Sequence, residues 1–211
     1  MATTLRGGAA VSGARGCAPG DVAVCAAPHL FRASGAGRLD DEGRLAVLSV
    51  DTLASLLELS GVESLVDLGS GTGFYTNRLA ERTTGLVYAV EVQPQMLKRH
   101  LEGGVPPNVR LVQADFRLLP LPEASVDRAL SVYAYHEAPD IVWLQQVAKV
   151  LKPGGRFVIV DWRRSHGAVE HGPPMDLRAT WEEVVEALTP HFSHVEGRDL
   201  DRFLFVAIGV K

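Results

Sequence analysis

Three features are scarce in this sequence of 211 residues, and each scarcity excludes a class of protein. Cys17 and Cys25 are the only cysteines, they lack metal-type spacing, and we expect both to be free, reduced thiols in a cytoplasmic protein. No apolar run approaches the length that spans a bilayer, so no membrane span is predicted. Basic residues are not in excess, since 21 Lys and Arg accompany 25 Asp and Glu, and the net charge of −4 does not support binding to nucleic acid.

The rest of the composition is typical of one globular domain. The hydrophobic fraction of 46% and the charged fraction of 22% are ordinary, and the length suits a single α/β domain with a proper core. Residues 1–28 are rich in Ala, Gly and Thr and lack periodicity, so we expect a disordered or weakly ordered tail. Its best apolar piece, residues 22–27, is too short for the core of a signal peptide. Residues 29–211 are predicted to form the domain, as a monomer or homodimer.

Strand and helix patterns alternate along the predicted domain. Short apolar runs bounded by turn residues predict strands, and apolar positions repeating every three or four residues predict helices. One helix is expected to follow Asp40 and Asp41, which offer an N-cap, and to contain the leucines from Leu45 to Leu59. The predicted strands span residues 65–68, 86–90, 109–113, 128–133, 156–161, 192–196 and 203–210. We therefore predict a doubly wound α/β fold, with a seven-stranded, mostly parallel sheet and an antiparallel last strand.

The stretch that follows the first predicted strand carries the main functional signal. Asp67 lies at the end of that strand, and Gly69, Gly71 and Gly73 separate it from a helical pattern that begins at Phe74. Glycines let the backbone turn sharply and approach a ligand closely, so a strand, a glycine loop and a helix start predict a cofactor pocket. A dinucleotide loop of the G-x-G-x-x-G type would need a third glycine where Phe74 stands. Asp67 would also repel a pyrophosphate, but it would attract a cationic amino-acid group.

Four motifs in this order resemble those of the class I S-adenosylmethionine-dependent methyltransferases, in particular the ubiquinone/menaquinone-biosynthesis-type (type 11) group. They are the stretch 67–73, Glu91 at the end of the second strand, Asp115 after the third strand, and the run L-K-P-G-G-R-F at 151–157. The resemblance extends from about residue 39 to residue 211. It implies a Rossmann-like methyltransferase fold and S-adenosylmethionine as the cofactor.

The resemblance also implies roles for single residues in holding the cofactor. Glu91 would accept hydrogen bonds from both ribose hydroxyls, although a solvated strand-end glutamate is the alternative. Asp115 would receive the adenine amine, and Phe116 would offer an apolar wall. A lead helix covers the cofactor side in the family resembled, and His29 and Phe31 would either cap the ligand or pack the tail onto the domain. The residues expected to hold the cofactor are Asp67, Gly69, Ser70, Gly71, Thr72, Gly73, Tyr75, Glu91, Val92, Asp115, Phe116 and Ser131.

The segment after the fourth predicted strand is the candidate for the methyl acceptor. Ligands of open α/β sheets bind beyond the carboxyl ends of the strands, which is where this segment begins. His136 is the candidate catalytic base because its unperturbed pKa lies near neutrality; a hydrogen-bonded structural histidine is the alternative. Tyr133 and Tyr135 are the candidates for positioning the acceptor, and strand alternation points both the same way if the strand continues through them.

Two further histidines lie after the fifth predicted strand, in a segment that often covers the acceptor in the family resembled. His166 and His171 flank Glu170, but their irregular spacing and the nearby prolines argue against a metal site, and none is predicted. We expect these histidines to shape the acceptor pocket instead.

Methyl transfer from S-adenosylmethionine to a small-molecule acceptor is the predicted function, with the acceptor atom (O, N or C) left open. No Asn/Asp-Pro-Pro-aromatic sequence follows the fourth strand, which argues against amino-group methylation of adenine or glutamine. The predicted domain has no cysteine for arsenic methylation and no basic patch for a large RNA. The alternatives are a non-catalytic S-adenosylmethionine-binding regulatory or scaffold protein, and a nicotinamide-dependent oxidoreductase, which Phe74 and Asp67 disfavour.

Overall fold

A computed structural model describes residues 31–138, 141–165 and 172–211. Seven strands form one sheet with six helices and four short 3-10 turns around it in the described ranges. The helices are α1 (Arg44–Val47), α2 (Val50–Leu56), α3 (Phe74–Ala80), α4 (Pro94–Glu102), α5 (Val142–Val150) and α6 (Trp181–Leu188). The strands are β1 (Leu65–Leu68), β2 (Val87–Glu91), β3 (Val109–Gln113), β4 (Val126–Val132), β5 (Leu151–Trp162), β6 (His194–Asp199) and β7 (Leu204–Val210).

The sheet has the order β3-β2-β1-β4-β5-β7-β6. The pairs β1–β2, β1–β4, β2–β3 and β4–β5 are parallel, and β7 runs antiparallel to both β5 and β6. This topology confirms the predicted doubly wound α/β fold and its antiparallel last strand. Because the strand order reverses between β1 and β4, a crevice opens at the carboxyl ends of these two strands.

Apolar side chains leave the sheet on both faces, which explains why the central strands are nearly continuous hydrophobic runs. On one face, Leu68 and Phe157 pack with Trp143 of α5. On the other face, Leu65 and Leu130 pack with leucines of α2 and α3. All four residues of β1 are buried, so the strand that leads into the glycine loop is fixed from both sides.

The lead segment is not the single helix that the leucine spacing predicts. It forms a 3-10 turn, then α1, then α2, with a break at the buried Leu48. The break arises because Ser49 caps α2, accepting a 3.1 Å hydrogen bond from the backbone N–H of Thr52. Asp41 instead accepts a 2.8 Å bond from the N–H of Gly43 and does not begin a long helix. A second N-cap, Ser49, therefore divides the predicted helix into α1 and α2.

The end of β4 also differs from the prediction. The strand stops at Val132, and Tyr133 adopts a left-handed backbone conformation with φ of 56°. A 3-10 turn from Tyr135 to Glu137 follows at once. Strand alternation therefore does not apply, and the two tyrosines do not point the same way: Tyr133 packs in the cluster of α2 and α3, and Tyr135 packs against Trp143.

The start of β5 is the third difference. The predicted strand begins at residue 156, within the run L-K-P-G-G-R-F. In the structure α5 ends at Val150 and β5 begins directly at Leu151, which pairs with Val126 across a register shift. Gly154, with φ of 74°, provides the irregular backbone within this strand.

None of the helices in the described ranges has both the length and the hydrophobicity that a membrane span requires.

Trp143 gives a direct test of this core, because it is fully buried and its neighbour Val142 is 63% exposed on the same helix. We expect Trp143→Ala to lower the free energy of unfolding by about 3–5 kcal/mol through lost burial and a residual cavity. Val142→Ala should change it by less than about 0.5 kcal/mol. Urea unfolding followed by circular dichroism measures both, and equal effects of the two substitutions would contradict this packing.

Candidate active site

A cavity of about 860 Å³ lies at the carboxyl ends of the central strands, at the place where the strand order reverses. It brings together residues that the sequence predicted for the cofactor and for the acceptor. Those that line it are Asp67, Gly69, Ser70, Gly71, Thr72, Tyr75, Glu91, Val92, Phe116, Tyr133 and His136. The predicted Gly73, Asp115 and Ser131 are not among its lining residues.

The glycine loop between β1 and α3 needs glycine for a packing reason. Gly69, Gly71 and Gly73 all have left-handed backbone conformations, with φ of 79°, 55° and 82°. A Cβ at Gly69 would lie 2.6 Å from the Cβ of Ala134, and one at Gly73 would lie 2.2 Å from Nε2 of His100. Gly69 therefore packs directly on the end of β4, whereas Gly73 is required for packing outside the cavity.

Asp67, the penultimate residue of β1, is a buried carboxyl group, 3% exposed, on the wall of the cavity. Burial raises its pKa to about 6, the nearby Glu91 adds to the rise, and a hydrogen bond from the Thr76 hydroxyl and the charge of Arg44 oppose it. A carboxylate in this environment gains stability from a cationic ligand. Its surroundings therefore suit an ammonium group.

Glu91 ends β2 and faces the same cavity. Its two carboxylate oxygens accept hydrogen bonds from the backbone N–H groups of Gly71, at 2.9 Å, and of Gln93, at 2.8 Å. Burial raises its pKa although these bonds stabilise the anion. The residue is only 7% exposed, so the alternative of a solvated strand-end glutamate does not describe it.

Asp115 and Ser131 lie near the cavity but do not line it. Asp115 accepts hydrogen bonds from the backbone N–H and the side chain of Arg117. Burial raises the pKa of Asp115, but the Arg117 bonds outweigh it and hold the pKa below its usual value. The next residue, Phe116, does line the cavity. Ser131 is 1% exposed within β4.

On the acceptor side, His136 is held by a residue to which the sequence assigned no role. Its Nδ1 lies 2.9 Å from Oδ1 of Asp161, and its backbone N–H donates to Oδ2 of the same carboxylate at 3.1 Å. Burial lowers the pKa of His136, but the charge and hydrogen bond of Asp161 outweigh it and raise the pKa above its ordinary value. The available signal was that Asp161 ends a strand whose neighbour in the sheet, β4, leads to His136.

An aromatic wall lies beside this pair. The rings of Tyr133 and Trp162 stack with centroids 5.3 Å apart and an interplanar angle of 28°. Burial raises the pKa of Tyr133, so its hydroxyl remains protonated and can donate or accept a hydrogen bond but cannot serve as a base near neutrality. Behind Trp162, the buried Arg178 donates a 2.9 Å hydrogen bond to the carbonyl oxygen of Pro173, which lines the cavity.

The cavity is also lined by charged residues that the sequence did not predict for the site, among them Arg44 and Glu137. The guanidinium of Arg44 lies 4.9 Å from the ring centroid of Tyr75. Glu137 accepts a 3.0 Å hydrogen bond from the backbone N–H of Phe31, and burial raises its pKa to about 7. The sequence carried no signal for Arg44, which lies within the leucine pattern, or for Glu137, which follows a predicted site residue.

Four residues considered for the site, His29, His166, Glu170 and His171, lie outside the described residues. Among the residues that are described, no group of three or more His, Cys, Asp or Glu side chains could hold a metal ion.

Comparisons with known proteins agree with this geometry. Residues 66–159 match the model of a family described as a methyltransferase domain. An uncharacterised methyltransferase of Mycobacterium tuberculosis is 34% identical over 137 residues, which are 60% of this chain and 55% of that protein. A ubiquinone/menaquinone biosynthesis C-methyltransferase of Ectopseudomonas mendocina is 33% identical over 165 residues, which are 74% of this chain and 62% of that protein. This chain thus spans less than two thirds of the length of either relative.

A solved structure shares nearly the whole architecture. The crystal structure of an S-adenosylmethionine-dependent methyltransferase from Aquifex aeolicus aligns with a TM-score of 0.78 and 25% identity, over 86% of this chain and 99% of that chain. S-adenosylmethionine is the cofactor indicated by the seven-stranded sheet, by the family match and by this likeness. The chain therefore contains a methyltransferase domain of the class I, S-adenosylmethionine-dependent kind.

Proposed function

We propose that residues 29–211 form a domain that transfers a methyl group from S-adenosylmethionine to a small-molecule acceptor. The observation that carries this proposal is that one cavity is lined by two buried carboxyl groups beside the glycine loop and by His136, whose ring is bonded to Asp161. The first set suits the cofactor, and the second set can accept a proton. A single cavity of about 860 Å³ lies within the usual size range for small-molecule sites.

The residues at the glycine loop fit S-adenosylmethionine. The buried Asp67 suits the ammonium group of its amino-acid end, and Glu91 retains lone pairs for the ribose hydroxyls. The Ser70 hydroxyl is buried in the loop and has no hydrogen-bond partner among the described residues, so it is available to a ligand. Val92 and Phe116 offer apolar contacts for the adenine. Asp115 would take its proposed role only by exchanging Arg117 for the adenine amine.

The bound cofactor supplies an electrophilic methyl group on a sulfonium, and the chain must align the acceptor with it and exclude water. Near-attack placement can contribute roughly 7–11 kcal/mol in favourable systems. The stacked rings of Tyr133 and Trp162 give a flat, apolar wall against which an acceptor can be oriented. With Nδ1–H donated to Asp161, Nε2 of His136 is the ring nitrogen that can take the acceptor proton.

The acceptor atom is open within this proposal. A general base favours acceptors that must lose a proton, such as a hydroxyl or an amine. A carbon acceptor also falls within this proposal, because a relative at 33% identity is named as a C-methyltransferase.

A second candidate is a protein that binds S-adenosylmethionine without transferring the methyl group. The specific observation in its favour is that Asp161 bonds both the ring and the backbone of His136, as it would if it only fixed the 3-10 turn from Tyr135 to Glu137. The two candidates differ in whether the wild-type protein transfers the methyl group to any acceptor, which a screen of hydroxyl, amine and carbon acceptors measures.

Calorimetry with S-adenosylhomocysteine, the demethylated product, tests the cofactor assignment. We expect saturable binding, and we expect Asp67→Asn and Glu91→Gln each to weaken it about 10- to 100-fold, since each removes one charged hydrogen-bond partner. The exposed Glu186→Gln on α6 is the matched control and should leave the affinity unchanged. No binding to the wild type, or a thermal shift with NAD alone, would refute the assignment.

His136 gives a prediction with a defined pH dependence. A base acts when it is neutral, so with a turned-over acceptor kcat should rise as pH increases through a pKa above the ordinary histidine value. His136→Asn should abolish this rise and lower kcat by about 10²- to 10⁴-fold, with affinity for S-adenosylhomocysteine unchanged. Unchanged kcat in a folded variant would show that His136 is not the base and that its bond to Asp161 is structural.

Asp161→Asn tests the origin of that pH dependence without any acceptor. It removes the anion that raises the pKa of His136 and leaves the burial that lowers it. The histidine should therefore titrate at lower pH, which NMR of the imidazole measures directly. A pKa that stays where it is in the wild type would show that Asp161 does not set it.

A further inference from the structure

Arg44 lines the cavity with a guanidinium group that has no role in the proposed function so far. It is the first residue of α1, and its guanidinium carbon lies 4.9 Å from the ring centroids of Phe74 and Tyr75 and 5.4 Å from that of Tyr133. One of its N–H groups donates to the carbonyl oxygen of Leu39. A planar guanidinium enclosed by aromatic faces on the wall of a cofactor cavity has a fixed place and a fixed orientation.

The segment that carries Arg44 is fastened to the glycine loop. Asp40 accepts hydrogen bonds from the Thr72 hydroxyl at 2.5 Å and from Nε of Arg99 at 2.7 Å. The hydroxyl of Tyr75, at the start of α3, donates to the carbonyl oxygen of Leu48 at 3.1 Å. Arg44 lies between these two attachments in the sequence, so its position relative to the loop is set by the fold.

Most of the hydrogen-bonding capacity of Arg44 is unused. A guanidinium has five N–H donors, and the bond to Leu39 is the only one that Arg44 makes within the described ranges. No carboxylate of those ranges lies within ion-pair distance of it. Its charge nevertheless lowers the pKa of Asp67. The Asp67 carboxylate in turn accepts a hydrogen bond from the hydroxyl of Thr76, the residue next to Tyr75.

The backbone of the glycine loop offers few free donors of its own. The N–H groups of Gly69 and Ser70 donate to the carbonyl oxygen of Val90, and that of Gly73 donates to the carbonyl oxygen of Ser70. The N–H of Gly71 is bonded to Glu91. An anionic group of a ligand at this loop therefore needs a side-chain cation more than it would at a loop with free N–H groups.

We propose that Arg44 binds the α-carboxylate of S-adenosylmethionine while Asp67 binds its α-ammonium group. Both groups are attached to one carbon atom, so the two residues that bind them must line the same part of one cavity, as Arg44 and Asp67 do. The guanidinium fork matches a carboxylate and can bond it through two parallel N–H groups. This inference rests on the proposed function. It adds that the cavity binds ligands with the α-carboxylate more tightly than ligands without it.

The other arginines of the cavity do not meet the same conditions. Arg38 lies over the ring of Phe31 and Arg202 over that of Phe203, with guanidinium carbons 5.6 Å and 4.3 Å from the ring centroids. Arg44, by contrast, lowers the pKa of Asp67 by its charge. Arg202 is a suitable control, because it lines the same cavity and its guanidinium lies over Phe203.

The test compares two ligands that differ only in the carboxylate: S-adenosylhomocysteine and its decarboxylated analogue, S-adenosyl-3-thiopropylamine. Calorimetry should show that the wild type prefers S-adenosylhomocysteine by about 10- to 100-fold. Arg44→Gln should lose that preference, weakening S-adenosylhomocysteine while leaving the analogue within about twofold. Arg202→Gln should keep the wild-type preference, and Arg44→Lys should retain part of it because the charge remains without the fork.

The remaining outcomes separate this inference from the proposed function. Binding of neither ligand to the wild type overturns the proposed function and this inference together. Binding of both with equal affinity, or equal loss of both in a folded Arg44→Gln variant, overturns this inference alone, because Arg44 would then only hold the lead segment. Thermal melting of each variant shows that it is folded, and Arg44→Lys, which keeps the charge, stands in if Arg44→Gln does not fold.

Discussion

Close packing between the glycine loop and the end of β4 is the contact on which the rest of the cavity depends. Gly69 approaches Ala134 so closely that any Cβ would collide, and this contact joins the loop after β1 to the segment that carries His136. The loop can adopt the required left-handed conformations only because its residues are glycines. This steric constraint places Asp67 and Glu91, near the ends of β1 and β2, and His136, which follows β4, on the wall of one cavity.

Buried carboxyl groups are the second common feature of the site. Asp67, Glu91 and Asp161 are each less than a tenth exposed, and each accepts hydrogen bonds from N–H or O–H groups. Such groups destabilise the folded protein relative to apolar residues of the same size, and they cluster where a ligand or a reaction needs them. A ligand that supplies positive charge and hydrogen-bond donors offsets this cost, which couples binding to stability.

The lead segment shows how local and tertiary preferences combine. Its leucine spacing predicts one helix, but Ser49 provides a second N-cap and the buried Leu48 anchors the break. In the resulting short α1, Arg44 lies over the rings of Tyr75 in α3 and of Tyr133, which follows β4. Arg44, the first residue of this short helix, lines the cavity wall.

The sequence by itself determined the order of strands and helices, the glycine loop and the carboxylates at the ends of β1 and β2. These features are local, because they depend on hydrophobic periodicity and on the conformational freedom of glycine. Only the tertiary structure decided that Asp161 holds His136 and that the charge of Arg44 acts on Asp67. Each of these depends on which strand ends are adjacent and where a chain leaves its strand, and residues far apart in the sequence meet only when the sheet has formed.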